Sequence, residues 1–123
     1  MVGGTGAVSD AVASSLQAYT AQPIVRLAGA DRYATAAAIA QAFFARPPSA
    51  YLATGLNFPD ALAAGPAAGR FGSPVLLVRS SPIPAATTSE LLRLQPPYTY
   101  YVGGSGVLSD GVVAYFTALL DRQ

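Results

Sequence analysis

Residues 50–62 read Ala50-Tyr51-Leu52-Ala53-Thr54-Gly55-Leu56-Asn57-Phe58-Pro59-Asp60-Ala61-Leu62. The stretch opens as a short apolar run closed by a glycine, the pattern of a buried strand. Asn57 is a natural turn or cap residue. Pro59 presets φ for a first helical turn, and Asp60 there favours the positive end of the helix dipole. Strand, turn and helix thus follow one another directly, and the same order recurs on both sides.

Working outward, further strands are expected at Ile24 to Leu27, Pro74 to Val78 and Tyr98 to Val102. Helices are expected at Ser9 to Tyr19, Tyr33 to Ala45, Pro59 to Arg70, Thr87 to Leu94 and Ser109 to Asp121. Pro47-Pro48 and Pro96-Pro97 end two of them, because proline lacks the N–H and clashes with the preceding turn. Strands that read as unbroken apolar runs, alternating with helices, imply crossover connections and a mostly parallel sheet covered on both faces. The fold class is therefore α/β with three layers. The default role of Pro74 to Val78 is core; at an exposed sheet edge it would pack against a second subunit.

A duplication spans the chain. Val2-Gly3-Gly4-Thr5-Gly6-Ala7-Val8-Ser9-Asp10-Ala11-Val12 returns as Val102-Gly103-Gly104-Ser105-Gly106-Val107-Leu108-Ser109-Asp110-Gly111-Val112, one hundred residues later, with seven of eleven positions identical. A period of that length belongs to whole domains in tandem. Residues 1–22 read as the tail of a preceding repeat or an N-terminal helix, and 23–123 as one module. Met1 reads as a start residue added to an excised piece. The two glycine-rich turns follow strands and precede helices, as phosphate-binding turns do. With no Lys, however, neither is a Walker loop, and neither has the full dinucleotide fingerprint.

Composition bounds the chemistry. Hydrophobic residues make up 52% and charged residues 11% of the 123 residues, so a large core is available and few ions cover the surface. Part of the apolar excess is expected to meet another subunit or domain. Seven arginines against six acids give a net charge of +1, which is not the balance of a nucleic-acid binder. There is no Cys and no His. That removes disulfides, thiolate metal sites, the commonest general base and the commonest zinc ligand. The acids form no close pair able to hold a divalent metal, so no catalytic residue, metal or cofactor is expected. No apolar run reaches membrane-span length, and the N-terminus has no signal-peptide core.

Candidate binding residues cluster in two turns at strand carboxyl ends, where open α/β sheets bind ligands. The first is Arg26-Leu27-Ala28-Gly29-Ala30-Asp31-Arg32-Tyr33-Ala34-Thr35. Asp31 can cap the helix that follows. Arg26 and Arg32 either meet an anion at the helix N-terminus or form internal Arg–Asp pairs that fix the loop. In the second turn, Asp60 can start the helix or reach Arg32. Tyr98 and Tyr100 lie on one strand face and Tyr101 on the other, placed to stack on sugars or to pack strands.

Four blocks together resemble the cell wall binding repeat 2 family. They are Arg26-x-x-Gly29-x-Asp31-Arg32-Tyr33-x-Thr35, Gly55-x-Asn57-x-Pro59-Asp60-Ala61-Leu62, Pro74-Val75-Leu76-Leu77, and Val102-Gly103-Gly104 followed by Ser109 and Val112. Val75 departs slightly, standing where the family often has Ile. The resemblance implies a Rossmann-like, toprim-like domain without toprim metal chemistry. It implies tandem modules, typically three around a pseudo-threefold axis, in S-layer and other surface proteins of Gram-positive bacteria. Such modules are secreted and dock without catalysis on anionic cell wall polymer. On that reading Arg26, Asp31, Arg32, Thr35, Asn57 and Asp60 are the ligand-binding set, with sister repeats or a homotrimer as protein partners. The alternative is a structural trimerisation module that does not touch polymer.

Overall fold

The computed structural model describes residues 1–122. In chain order the elements are α1 (Asp10–Gln17), α2 (Arg32–Phe43), β1 (Ala50–Thr54), α3 (Pro59–Arg70), β2 (Val75–Val78), α4 (Ala85–Leu94), β3 (Thr99–Val102) and α5 (Asp110–Leu120). The three strands form one parallel sheet in the order β2-β1-β3. Tyr51 pairs with Val75 on one side and with Tyr100 on the other. All five residues of β1 are buried, as the central strand of a covered sheet requires.

Alternation along the strands divides the side chains between two layers. Leu52, Leu76 and Val78 face α2, α4 and α5, where Leu91, Leu94, Val112 and Phe116 complete the larger core cluster. Tyr51 and Val75 face α3, which contributes Ala64 and Ala68. The small residues of α3 let that helix lie close to the strands. Tyr101 packs on the larger cluster, while Tyr98 and Tyr100 stay exposed and the Tyr100 ring stacks on Tyr51 at 5.0 Å. Thr87 ties α4 to the sheet, its hydroxyl donating to Leu77 O at 2.6 Å.

One expected strand does not join this sheet. At Ile24 to Leu27 only Leu27 is paired, in a single parallel bridge to Val2. Leu27 N donates to Met1 O (2.8 Å) and Gly3 N donates to Leu27 O (2.9 Å). The apolar run finds its partner in the N-terminal copy of the repeated sequence, not in its own module. The expected helix at Ser9 to Tyr19 forms as α1, yet it buries no residue. α4 begins at Ala85, two residues before the expected Thr87, directly after Pro84.

A buried charge organises the α2–α4 contact. Glu90 is 1% exposed and takes a two-pronged hydrogen bond from Arg93, Nε to Oε2 at 3.0 Å and Nη2 to Oε1 at 2.5 Å. The same guanidinium donates to Phe44 O at 2.8 Å, satisfying a carbonyl at the end of α2. The Glu90 hydrogen bond holds the Arg93 pKa above its usual value. Removing the arginine leaves a carboxylate buried without its partner. Arg93→Ala is therefore expected to cost roughly 2–3 kcal/mol in urea unfolding, reduced from the fully buried case because the arginine itself is partly exposed. The double replacement Glu90→Leu/Arg93→Leu should recover much of that loss.

Candidate functional site

The two motif-bearing turns of the sequence meet at the carboxyl ends of β1 and β2. Tyr33, in the first turn of α2, is buried against Gly55, the residue after β1. A side-chain carbon on Gly55 would sit 2.5 Å from Tyr33 Cε1, so only glycine permits this contact. Gly55 N donates to Val78 O at 2.8 Å, and Gly55 O accepts from Arg32 Nη1 at 2.6 Å. Arg79, which follows β2, lies over the other side of this arrangement, its guanidinium carbon 5.3 Å from the Tyr33 ring centre. Cation and ring attract each other through the ring quadrupole.

Asp31 is the N-cap of α2, its carboxylate accepting from Ala34 N at 2.8 Å. Thr35 closes the loop behind it. Its hydroxyl donates to Asp31 O (2.8 Å) and accepts from Gly29 N (3.0 Å). Asp31, Arg32 and Thr35 line an open cleft of about 510 Å³ that runs from α2 to Val2 and Gly3 of the N-terminal segment. Arg32 also borders a smaller hollow of about 120 Å³, shared with Asn57, Phe58 and Gly55. Beyond its bond to Gly55, Arg32 has no hydrogen-bond or ion-pair partner among the described residues. The larger cleft falls in the size range of small-ligand sites. The remaining Arg32 donors suit a carboxylate or phosphate, whereas the Thr35 hydroxyl proton is given to Asp31 O and the Asp31 carboxylate already caps the N-terminus of α2.

The structure thus brings together four of the six candidates: Asp31, Arg32, Thr35 and Asn57. Arg26 and Asp60 are placed elsewhere. Arg26 donates from Nη1 to Gly3 O and Val8 O, each at 2.7 Å, and from Nη2 to Asp10 Oδ1 at 3.0 Å. It fastens the N-terminal segment to the module. Asp60 turns from Arg32 towards Gly103, its Oδ2 2.8 Å from the point a side-chain carbon there would occupy. Arg79 is not among the residues that the sequence motifs single out. The available signal was its position immediately after the apolar strand at Pro74 to Val78, equivalent in the fold to Gly55 after β1. Among the described residues, no three His, Cys, Asp or Glu side chains gather as a metal site would require.

The model of the cell wall binding domain 2 (CWB2) family matches residues 26–113, which contain all four sequence blocks. The chain belongs to the CWB2 family. It is thus a cell-wall-associated module. It is 38% identical over 112 residues to N-acetylmuramoyl-L-alanine amidase LytC of Bacillus subtilis (strain 168), covering 91% of this chain and 22% of that protein. Among solved structures it resembles Cwp8 from Clostridium difficile, with a TM-score of 0.81 and 23% identity, over 98% of this chain and 20% of that one. Cwp6 from the same organism superposes with a TM-score of 0.71 and 30% identity, over 77% of this chain and 15% of that one. The CWB2 chain described here therefore spans about a fifth or less of the length of these relatives. No described helix is long and apolar enough to cross a membrane.

Within this CWB2 module the Tyr33–Gly55 contact holds Arg32 in place. Gly55→Ala should cost about 1–3 kcal/mol, because the ring must leave its position. Combining it with Tyr33→Leu should give a total well below the sum of the single losses, read from thermal unfolding of the four proteins.

Proposed function

We propose that this CWB2 module binds an anionic cell wall polymer, with Arg32 as the principal contact and Asp31, Thr35 and Asn57 shaping the surface around it. The observation that carries this reading is that Arg32 borders both clefts while spending only one of its donors on the protein. Guanidinium binds carboxylate or phosphate through paired hydrogen bonds. Arg79 adds a second positive charge at the same strand ends. Arg26 contributes at one remove, by fastening the N-terminal segment, and Asp60 lies beside Gly103. The role is anchoring without catalysis or cofactor, outside the cell, in a tandem-repeat or S-layer protein of a Gram-positive bacterium. The α–β–α layering supports a reduced Rossmann-like, toprim-like domain.

A second reading is a structural trimerisation module that leaves polymer alone. Its support is the exposure of Phe58, Leu62 and Phe71 on and beside α3, an apolar surface unusual for a lone monomer. A strictly monomeric mass in sedimentation equilibrium, at concentrations up to the millimolar range, would remove it.

The polymer reading is tested by co-sedimentation with purified wall sacculi that keep their secondary polymers. Arg32→Ala should weaken binding about tenfold, which corresponds to the loss of one charge-assisted contact. Raising salt should weaken the unsubstituted module, as screening requires. Arg46→Ala, remote from both clefts, serves as the control. If folded Arg32→Ala protein sediments with walls as well as the control does, the assignment is wrong.

A further inference from the structure

The two copies of the repeated sequence adopt the same backbone, but only one of them is occupied. Gly3 and Gly103 both take left-handed φ values, +114° and +133°. In the first copy Ala7 N and Val8 N donate to Gly4 O at 2.9 Å; in the second, Val107 N and Leu108 N donate to Gly104 O at 3.0 Å. Ser9 and Ser109 enter their helices at nearly identical angles, φ −63°, ψ 158° and φ −65°, ψ 154°.

In the first copy this shape is a socket. Gly3 O, Val8 O and Asp10 Oδ1 surround the Arg26 guanidinium, and Met1 O and Gly3 N bond the backbone of Leu27. The equivalent groups of the second copy are Gly103 O, Leu108 O, the Asp110 carboxylate, Tyr101 O and Gly103 N. None of these has a partner among the described residues. Strand geometry explains the last two. Ala50 N donates to Tyr98 O, so Tyr98, Tyr100 and Val102 present their backbone groups to β1. Tyr101 and Gly103, one residue out of phase, present theirs to the open side of β3. β3 is the edge of the sheet. Asp60, beside Gly103, adds a second carboxylate that the first copy lacks.

We infer that the outer edge of β3, with Gly103 O, Leu108 O and Asp110, is a docking socket for the Pro23–Gly29 segment of a second copy of this module. The incoming Leu27 extends the sheet by a parallel bridge to Val102. The incoming Arg26 fills the three-acceptor pocket. Successive modules are then joined by an added strand and a part-buried guanidinium. The specificity resides in the arginine, because an uncharged strand would leave two carbonyls and a carboxylate facing each other. This joint does not depend on polymer binding, and its test does not involve wall material.

The test compares the 123-residue chain with a two-module chain in which Arg122 is followed directly by residues 23–123, preserving the hundred-residue period. Linking makes the contact intramolecular, so a weak joint still forms. Amide hydrogen exchange reports it. In the single chain Gly3 should be protected and Gly103 should exchange freely. In the two-module chain Gly103 should slow by at least about tenfold, the effect of closing a new backbone hydrogen bond. Arg26→Ala in the appended module should restore fast exchange at Gly103. Asp110→Ala in the first module should lower the unfolding midpoint of the two-module chain by about 3 °C more than it lowers that of the single chain, where the residue serves only the α5 dipole. Equal Gly103 exchange in the two chains, or slowing that persists in the Arg26→Ala protein, would overturn the proposal.

Discussion

The backbone of Ala50–Thr54 is hydrogen-bonded on both sides, and its side chains are buried on both faces. A sheet of three strands has one such position, and the elements that build the core are placed by it. β2 and β3 take their register from β1. α3 is set by the Tyr51 face, and the α4–α5 layer by the Leu52 face. The strand then ends at Gly55, whose missing side chain admits Tyr33 and whose carbonyl fixes Arg32. The core strand and the glycine that seats Arg32 are thus consecutive in the sequence. Changes at the strand's carboxyl end are felt in both the core and the candidate site.

Much of this was legible in the sequence because parallel strands buried on both faces leave a plain signal. The runs at Ala50, Pro74 and Tyr98 could hardly be anything else once proline and glycine marked their ends. The helix at Pro59–Arg70 was legible to the residue at both ends. Ile24–Leu27 carried the same local signal and was misassigned, since periodicity reports that a strand wants a partner but not which chain segment supplies it. The same limit applies to side chains. Arg26 and Arg32 stand in one motif, yet one clamps the N-terminal segment and the other borders the clefts. Their difference arises from Gly3, Val8 and Asp10, far away in sequence. The buried Glu90 was equally invisible, because nothing in its local pattern distinguishes it from a solvated helix residue.

The duplicated sequence shows how context divides equal propensities. Both copies turn through a left-handed glycine and start a helix after serine. α5 packs Val112 and Phe116 into the core, whereas α1 has Val12 and Leu16 at matching positions and leaves both exposed. Ser9 caps its helix through the side chain, accepting from Val12 N at 3.3 Å, while Ser109 makes no such bond. Local chemistry sets the shape of the turn in both places. Burial is decided by what lies next to it.

That α1 buries nothing has a mechanical consequence. Between Met1 and Thr20 the chain holds to the rest through the Arg26 contacts, the bonds of the Gln17 and Thr20 side chains to Gln22 and Ile24, the Met1 ammonium on Val25 O and a short run of backbone bonds, with no core side chain among them. Tension applied at the N-terminus loads those polar contacts first, and they can part and re-form without opening the sheet.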